Sequence, residues 1–534
     1  MKSQLTKFYL LPKEVKTSSG AENVGYLLKE RDMQIALRET EFCLIEGGGF
    51  LILDYGKELC GGVRILTYSV NEHNKVRIRF GESLGECSAE LGEKNATNDH
   101  SLRDIETRLV NWSDMEFGQT GFRFVRIDFE EGAKIALCGV YAACTFREKE
   151  RLGSFECSDV LVNQIYETAA YTAELCVQNM LWDGVKRDRL VWIGDAHTES
   201  LALTCLFGED ECVEKALVFA REHTPEGHWI NEIPAYSCWW ILILCDYYKR
   251  TGNRRFVEES IGFIDVVAEM TDESFDESGQ VVSDAFTQYF LDWQTKDTIA
   301  EKSGTKALML WGFKEAEKLF AEFGRDCERI KKVERKLSAV FEPYGDSKQV
   351  AAMKYLAGVP DGNLTETLLK GGAKGMSTFM GYYILRALAE NGKTKEALEI
   401  MKEYFGGMLS RGATSFWEDF DVEWLNESGR IDEFLKAGEK DLHGDYGGYC
   451  YKGFRHSLCH GWASGAVPFL TEYVLGVKVL DTACKRVRIE PFLGELEYVK
   501  GEYPTPYGVI RICHRKVNGK IVSEVSAPKE VEIL

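Results

Sequence analysis

The chain has 534 residues, of which 65 are basic and 85 acidic, giving a formal charge of −20; 45% are hydrophobic. That length suits two to four domains with substantial cores. The acidic balance excludes the basic stripe of a nucleic-acid surface, and no run of about 18 uncharged apolar residues offers a membrane span.

Residues 1–150 read as an N-terminal β-sandwich. "FLILDYG", "GGVRILTYSV", "KVRIRFGESL", "FRFVRIDF" and "KIALCGVYAAC" alternate apolar with polar residues, and glycine pairs and Asn/Asp clusters punctuate them. The opening "MKSQLTKFYLLPKEV" lacks the apolar stretch of an export signal. The sixteen cysteines form no C-x-x-C pair and no ligand-like spacing with histidine, so no metal is expected. Cys205, Cys212, Cys238 and Cys245 lie in apolar helical runs and read as buried thiols. A thiol-rich chain without an export signal is expected in the cytoplasm.

Residues 151–475 change to a helical period. Ser158 and Asp159 offer an N-cap, and amphipathic runs follow near 159–180, 195–207, 209–222, 236–251, 255–272, 303–323, 325–341, 346–357, 361–371, 377–391, 393–405 and 457–475. Twelve such helices can close six hairpins into an (α/α)6 barrel. Residues 476–534 return to strands, with "YPTPYG" and Asn518-Gly519 as turns. The expected architecture is a multidomain α and β chain: sandwich, central (α/α)6 barrel and small C-terminal β-domain.

Three stretches concentrate chemistry. "WDGVKRDRLVWIGD" (182–195) interleaves Asp183, Asp188 and Asp195 with Lys186, Arg187 and Arg189, between Trp182 and Trp192. It falls in a loop between two helices, where sites tend to sit. "YFLDWQTKDT" (289–298) holds Asp292 and Trp293, and "RGATSFWEDFDVEW" (411–424) holds Trp417 and Glu418. The last opens a Gly- and aromatic-rich segment running to "RHSLCHGWASGAV", which includes His460. A long irregular segment in a compact domain usually has a function. Sugar hydrolysis needs two carboxyl groups, one to protonate the leaving oxygen and one to activate water or attack. Aromatic faces and hydrogen-bonding side chains then hold the sugar. Each piece alone also has a plain structural reading: Asp183 and Arg187 as an i,i+4 ion pair, Trp417 as core, His460 as a satisfied buried histidine.

Together the stretches resemble the bacterial α-L-rhamnosidases of glycoside hydrolase family 78. The first is similar to that family's Asp-Cys-Pro-x-Arg-Glu-x-x-Gly-Trp-x-Gly-Asp, through Asp183, Arg187, Asp188, Trp192, Gly194 and Asp195. "GATSFWE" resembles its Gly-Ala-Thr-Thr-x-Trp-Glu, "HSLCHGWASGAV" its Ser-Leu-Asn-His-x-x-x-Gly-Ala-Val, and "FLDW" its Gly-Asp-Trp. The β-segments on both sides, "TNDHSLRD" among them, are similar too, so the resemblance covers most of the chain. It implies an inverting glycosidase with no cofactor and a glycoside substrate. Asp188 falls on the general acid and Glu418 on the base. Asp183, Arg187, Trp192, Asp195, Asp292, Trp293, Trp417 and His460 fall on or beside the sugar-binding set. This chain departs in having Asp188 where the family has Glu, one methylene shorter, with Gly184-Val185 for Cys-Pro, Val191 for Gly and Cys459 for Asn. A related sugar is therefore an alternative substrate. A non-catalytic sugar-binding protein and an (α/α)6 enzyme acting on another sugar by elimination are the competing readings.

Overall fold

The computed structural model describes residues 4–534. Residues 1–3, the start of the segment read for an export signal, lie outside it. The N-terminal domain contains β1 (Thr6–Leu10), β2 (Glu14–Glu22), β3 (Cys43–Val70), β4 (Lys75–Gly81), α1 (Leu84–Ser88), β5 (Asp104–Arg108), β6 (Ser113–Phe129) and β7 (Lys134–Phe146). The strands form one antiparallel sheet in the order β1-β7-β3-β6-β4-β5, with β2 added on β3. The sandwich arises because β3, 28 residues long, breaks its pairing with β6 between Asp54 and Leu59 and again near Gly61. Its first half pairs with β2 and its second mainly with β7, so the sheet curls on itself. Leu51, Leu53, Ile78, Phe80 and Ile127 from one half pack with Val63, Ile65, Val140 and Ala142 from the other.

After β8 (Ser154–Cys157) the helices follow in chain order: α2 (Val160–Cys176), α3 (Ala196–Phe207), α4 (Glu211–Glu222), α5 (Pro234–Thr251), α6 (Arg254–Ser260), α7 (Gly262–Ser274), α8 (Ile299–Glu322), α9 (Glu328–Ser338), α10 (Lys348–Leu356), α11 (Leu364–Leu369), α12 (Thr378–Glu390), α13 (Thr394–Ser410) and α14 (Ala466–Tyr473). Asp159 caps α2 by accepting from the N–H groups of Leu161 and Val162. Helices α3, α5, α8, α10, α12 and α14 touch in that order, and α14 returns to α3, closing an inner ring. Every residue of α3 is buried, as expected of a helix packed on all sides. The alternate helices form the outer ring. Amphipathic α9, for instance, buries Ile330, Val333 and Leu337.

Two helical runs differ from expectation. The 255–272 run divides at Ile261, and α6 and α7 share one outer position. The 457–475 run becomes helical only at Ala466, because Gly461–Gly465 forms a tighter 3-10 turn. Cys205, Cys212 and Cys238 are buried and Cys245 is half-buried. No helix among the described residues is long and apolar enough to cross a membrane.

The C-terminal domain has β9 (Val477–Val479), β10 (Arg486–Ile489), β11 (Tyr498–Thr505), β12 (Gly508–Val517), β13 (Lys520–Ser526) and β14 (Glu532–Ile533). They form a sheet β14-β10-β9 and a sheet β13-β12-β11-β8. Strand β8 lies ahead of the first barrel helix in sequence, yet it completes this C-terminal sheet by pairing with β11.

The N-terminal sheet packs directly on the barrel. A Cβ on Gly121 would stand 2.8 Å from Val185 Cγ2 and 2.9 Å from the Lys186 nitrogen, so only glycine admits the 182–195 loop at this distance. Beside it, Arg123 of β6 donates to both carboxylate oxygens of Asp54 at 2.9 Å, to Asp432 at 3.2 Å and to the Gly412 carbonyl at 3.1 Å. Arg123 and Asp54 are both buried. Truncation of one partner in a buried charge cluster costs about 3–5 kcal/mol, because the other charges stay buried without it. Arg123→Ala should therefore lower the thermal and urea midpoints, while Arg255→Ala, at an exposed helical ion pair, should shift them little.

Candidate active site

The outer-to-inner connections of the barrel all open at one end, the end where the inner helices begin. Four of them build one cavity: α2 to α3, α4 to α5, α7 to α8 and α13 to α14. The cavity holds about 190 Å³ and is lined by Asp183, Arg187, Asp188, Trp192, Asp195, Tyr236, Trp293, Lys296, Glu418, Tyr451, His460 and Trp462 among others. Drug-sized sites run to roughly 300–1,000 Å³, so this one suits a single sugar ring.

The 183–190 loop closes on itself. The Asp183 N–H donates to the Leu190 carbonyl at 3.0 Å, and the Leu190 N–H to Asp183 Oδ1 at 2.8 Å. At its tip Asp188 and Arg189 take left-handed backbone angles, φ 54° and 59°, strain of the kind that clusters at functional sites. Gly194 permits the next contact. A Cβ there would stand 2.4 Å from Tyr236 Cζ, and Tyr236 of α5 meets Trp192 edge to face at 6.1 Å. Trp293, Tyr451 and Trp462 continue this aromatic wall, with Tyr451 edge to face against Trp293 at 5.7 Å and against Trp462 at 6.2 Å.

Glu418 lies opposite on an extended segment that pairs with 457–460: its N–H donates to the Ser457 carbonyl, and the His460 N–H to that of Phe416, both at 3.0 Å. Arg187 joins the two halves of the site. One guanidinium nitrogen donates to Asp188 Oδ1 at 2.9 Å and the other to Glu418 Oε1. The Ser457 N–H donates to Glu418 Oε2 at 3.1 Å. Trp192 Nε1 donates to Asp188 Oδ2 at 3.0 Å, and His460 Nε2 bonds to Asp195 Oδ1 at 2.8 Å. His460 Nδ1, buried, has no hydrogen-bond partner among the described residues and stands 3.8 Å from Glu418 Oε1.

Burial works against charge at every one of these groups, and the neighbours decide the outcome. It would raise the Glu418 carboxyl, but Arg187, His460 and His456 outweigh it and hold the group at about 2. Burial would depress His460, but Glu418 and Asp195 raise it to about 9. At Asp183 burial wins over His460, and Asp195 and Asp188 add to it, so its carboxyl rises well above the ordinary range. Asp195 is raised by burial despite its bond to His460.

Two expected site residues lie outside the cavity lining. Trp417 is fully buried and packs edge to face on Phe420 at 5.5 Å. It precedes Glu418 on extended backbone, so the two side chains leave in opposite directions. Asp292 is buried behind Trp293 and accepts from Ser377 Oγ, and burial raises it to about 6. Tyr236, Tyr451 and Trp462 line the cavity beyond the expected site residues. Of these, Tyr451 and Trp462 sit in the aromatic-rich 411–467 stretch, whereas Tyr236 lies in an apolar helical run with no distinguishing signal.

Glu82, Glu86 and His443 lie close enough to share a cation. The Lys186 ammonium already pairs with both glutamates, at 2.9 and 3.2 Å. Both ring nitrogens of His443 are engaged, by Ser83 and the His456 carbonyl. That donor set does not fit a metal.

Residues 150–326 match the bacterial alpha-L-rhamnosidase 6 hairpin glycosidase domain, and 476–534 match the bacterial alpha-L-rhamnosidase C-terminal domain. The two matched stretches correspond to the first half of the helical barrel and to the C-terminal β-domain. No curated protein matches the chain by sequence. Among solved structures it is similar to a family 78 rhamnosidase of Bacillus sp. GL1, at TM-score 0.76 and 20% identity over 95% of this chain and 55% of that one. It is also similar to the Klebsiella oxytoca rhamnosidase with rhamnose bound, at TM-score 0.69 and 19% identity over 88% and 96%. A third is the Streptomyces avermitilis α-L-rhamnosidase complexed with L-rhamnose, at TM-score 0.69 and 15% identity over 91% and 48%. The chain spans about half the length of the first and third and nearly all of the second.

The pH dependence of stability follows from the two shifted groups. His460, raised from 6.5 to about 9, contributes stability that is complete below pH 6.5 and lost as pH rises to 9. Glu418, lowered from 4.5 to about 2, contributes stability that is complete above pH 4.5 and lost as pH falls to 2. The thermal midpoint of the native chain should thus fall more steeply between pH 6.5 and 9 than that of His460→Gln. Parallel slopes would show that His460 carries no proton at neutral pH.

Proposed function

We propose that the chain is an inverting glycoside hydrolase that releases a terminal α-L-rhamnose, or a closely related sugar, from a glycoside. Asp188 protonates the leaving oxygen, and Glu418 takes the proton of the attacking water. The observation that carries this reading is the placement of Asp188 and Glu418 on the two ends of one guanidinium, across a cavity walled by Trp192, Tyr236, Trp293 and Tyr451. Inversion needs space for a water between base and sugar, with carboxyl groups roughly 6.5–9.5 Å apart. Asp183, Asp195 and imidazolium His460 offer donors and acceptors to the sugar hydroxyls. The rhamnose-bound neighbours support rhamnose as the sugar.

A second reading has its own support. Asp188 accepts from Arg187 and Trp192 and has His100 Nδ1 at 3.0 Å, an arrangement that also suits a ligand clamp. A sugar-binding protein without turnover would bind rhamnose and leave rhamnosides intact.

Hydrolysis of aryl and alkyl α-L-rhamnosides separates the two. Asp188→Asn should lower kcat on an alkyl rhamnoside by about 10²–10⁴-fold, the usual worth of general acid–base catalysis. It should spare p-nitrophenyl rhamnoside more, because nitrophenolate leaves without a proton. Glu418→Gln should impair both substrates, since water must be activated in either case. NMR of the first-formed sugar should show the inverted anomer. Retention of the starting anomer would remove the mechanism.

A further inference from the structure

The presumed acid is one methylene shorter than its family counterpart, and a side chain from outside the barrel reaches it. His100 lies in the loop between α1 and β5 of the N-terminal domain, 88 positions before Asp188 (188 − 100). Its Nδ1 stands 3.0 Å from Asp188 Oδ1, and its Nε2 stands 2.9 Å from Asp99 Oδ1. Both distances fall within the reach of proton transfer.

The surroundings fix this placement. His100 takes a left-handed φ of 67°, rare for a residue with a side chain. Arg455 grips Asp99 Oδ2 through two nitrogens at 3.0 and 2.7 Å and anchors itself on the Cys450 carbonyl at 2.8 Å. The next residue, Ser101, donates to the Lys186 carbonyl at 2.8 Å. The 99–101 segment is therefore tied to the 182–195 loop through Ser101 and to the 450–455 segment through Asp99. The charged groups facing His100 are Asp99 and Asp188, backed by Arg455 and Arg187 respectively.

The occupancy of Asp188 is equally specific. A carboxylate offers about four lone-pair sites. Arg187 donates to Oδ1 and Trp192 to Oδ2, and the His100 ring stands 3.0 Å from Oδ1. One site on Oδ2 remains for the glycosidic oxygen. The His100 side chain, 30% exposed, connects the far side of Asp188 with solvent.

We propose that His100 is the proton partner of Asp188: it orients the carboxyl from outside the barrel and returns a proton to it after each turnover. This rests on the assignment of Asp188 as the acid. In the cycle, Asp188 gives its proton to the glycosidic oxygen as the bond from that oxygen to the anomeric carbon breaks. The water oxygen bonds to that carbon, and Glu418 takes the water's proton. His100 then passes its Nδ1 proton to Asp188 and recovers one from solvent, while Glu418 releases its own. One water is consumed, and both carboxyl groups end as they began.

The test uses the full chain and an alkyl α-L-rhamnoside, with p-nitrophenyl rhamnoside as control. His100→Ala should reduce kcat on the alkyl substrate at least about 10-fold, within the range general acid–base catalysis supplies, with KM nearly unchanged and the control substrate spared. Added imidazole should restore the alkyl rate to His100→Ala in a concentration-dependent way. His100→Asn keeps an N–H near the Nδ1 position but carries no exchangeable acid, so it should remain as slow as His100→Ala. An Asn variant at the native rate, or an Ala variant unaffected on the alkyl substrate, would overturn the proposal while the native chain still hydrolyses rhamnosides. A native chain inert on every glycoside would overturn the acid assignment, and the role of His100 with it.

Discussion

The site depends on a buried ammonium. Lys186 lies inside the 182–195 loop, between Asp183 and Asp188, and its Nζ is surrounded by Glu82 and Glu86 of the N-terminal domain and by the carbonyls of Phe454 and His456. Taking such a charge out of water costs several kcal/mol unless its partners are well placed, and here four acceptors receive it. The consequence reaches Glu418. Glu82 accepts from the Leu458 N–H and from Ser457 Oγ, and the Ser457 N–H donates to Glu418. Burial raises Glu82 to about 7 even with the ammonium opposing it, so the clasp is balanced near neutrality. The Asp188 loop and the Glu418 segment are thus both referenced to one charge, at the seam between the sheet domain and the barrel.

The barrel adds a second constraint. Its inner helices begin at the end that carries the cavity: Asp195 stands at the start of α3 and Ile233 at the start of α5. Their aligned dipoles favour negative charge there, while desolvation disfavours it. The balance differs from group to group. Arg187 overcomes burial at Glu418, and nothing overcomes it at Asp183. Carboxyl groups of one cavity are thereby pushed in opposite directions, Asp183 up by burial and Glu418 down by Arg187.

Much of this was legible in the sequence because the signals are local. Asp183, Arg187, Asp188, Trp192 and Asp195 occupy one loop, and a loop between two helical runs can be read from period alone. The two changes of period located sheet, barrel and sheet. What escaped is contact across the fold. Tyr236 reads as core because its helix is apolar on all sides, and only the absence of a side chain at Gly194 brings it to the cavity. Trp417 reads like its neighbour Glu418, since sequence does not say which of two adjacent residues on extended backbone faces inward. Strand β8 carries four residues of alternating burial, too few to reveal that its partner lies more than three hundred positions later. His100 stands in "TNDHSLRD", a segment to which the sequence attaches no role, and its meeting with Asp188 is a product of domain packing.

One feature of the proposed chemistry looks adverse and is not. A base held at about 2 has little driving force for removing a proton from bulk water. In an oxocarbenium-like transition state, however, the water oxygen is already bonding to an electron-poor carbon, and its protons become far more acidic than those of free water. A weak base then suffices, provided that it is ionised and in place. An ionised Glu418 also stabilises the positive charge growing on the sugar ring, an interaction absent from the neutral ground state and therefore one that accelerates the reaction. The Arg187 grip that weakens Glu418 as a base keeps it charged at every working pH. For a reaction whose transition state is cationic, charge and position at that carboxylate matter more than basicity.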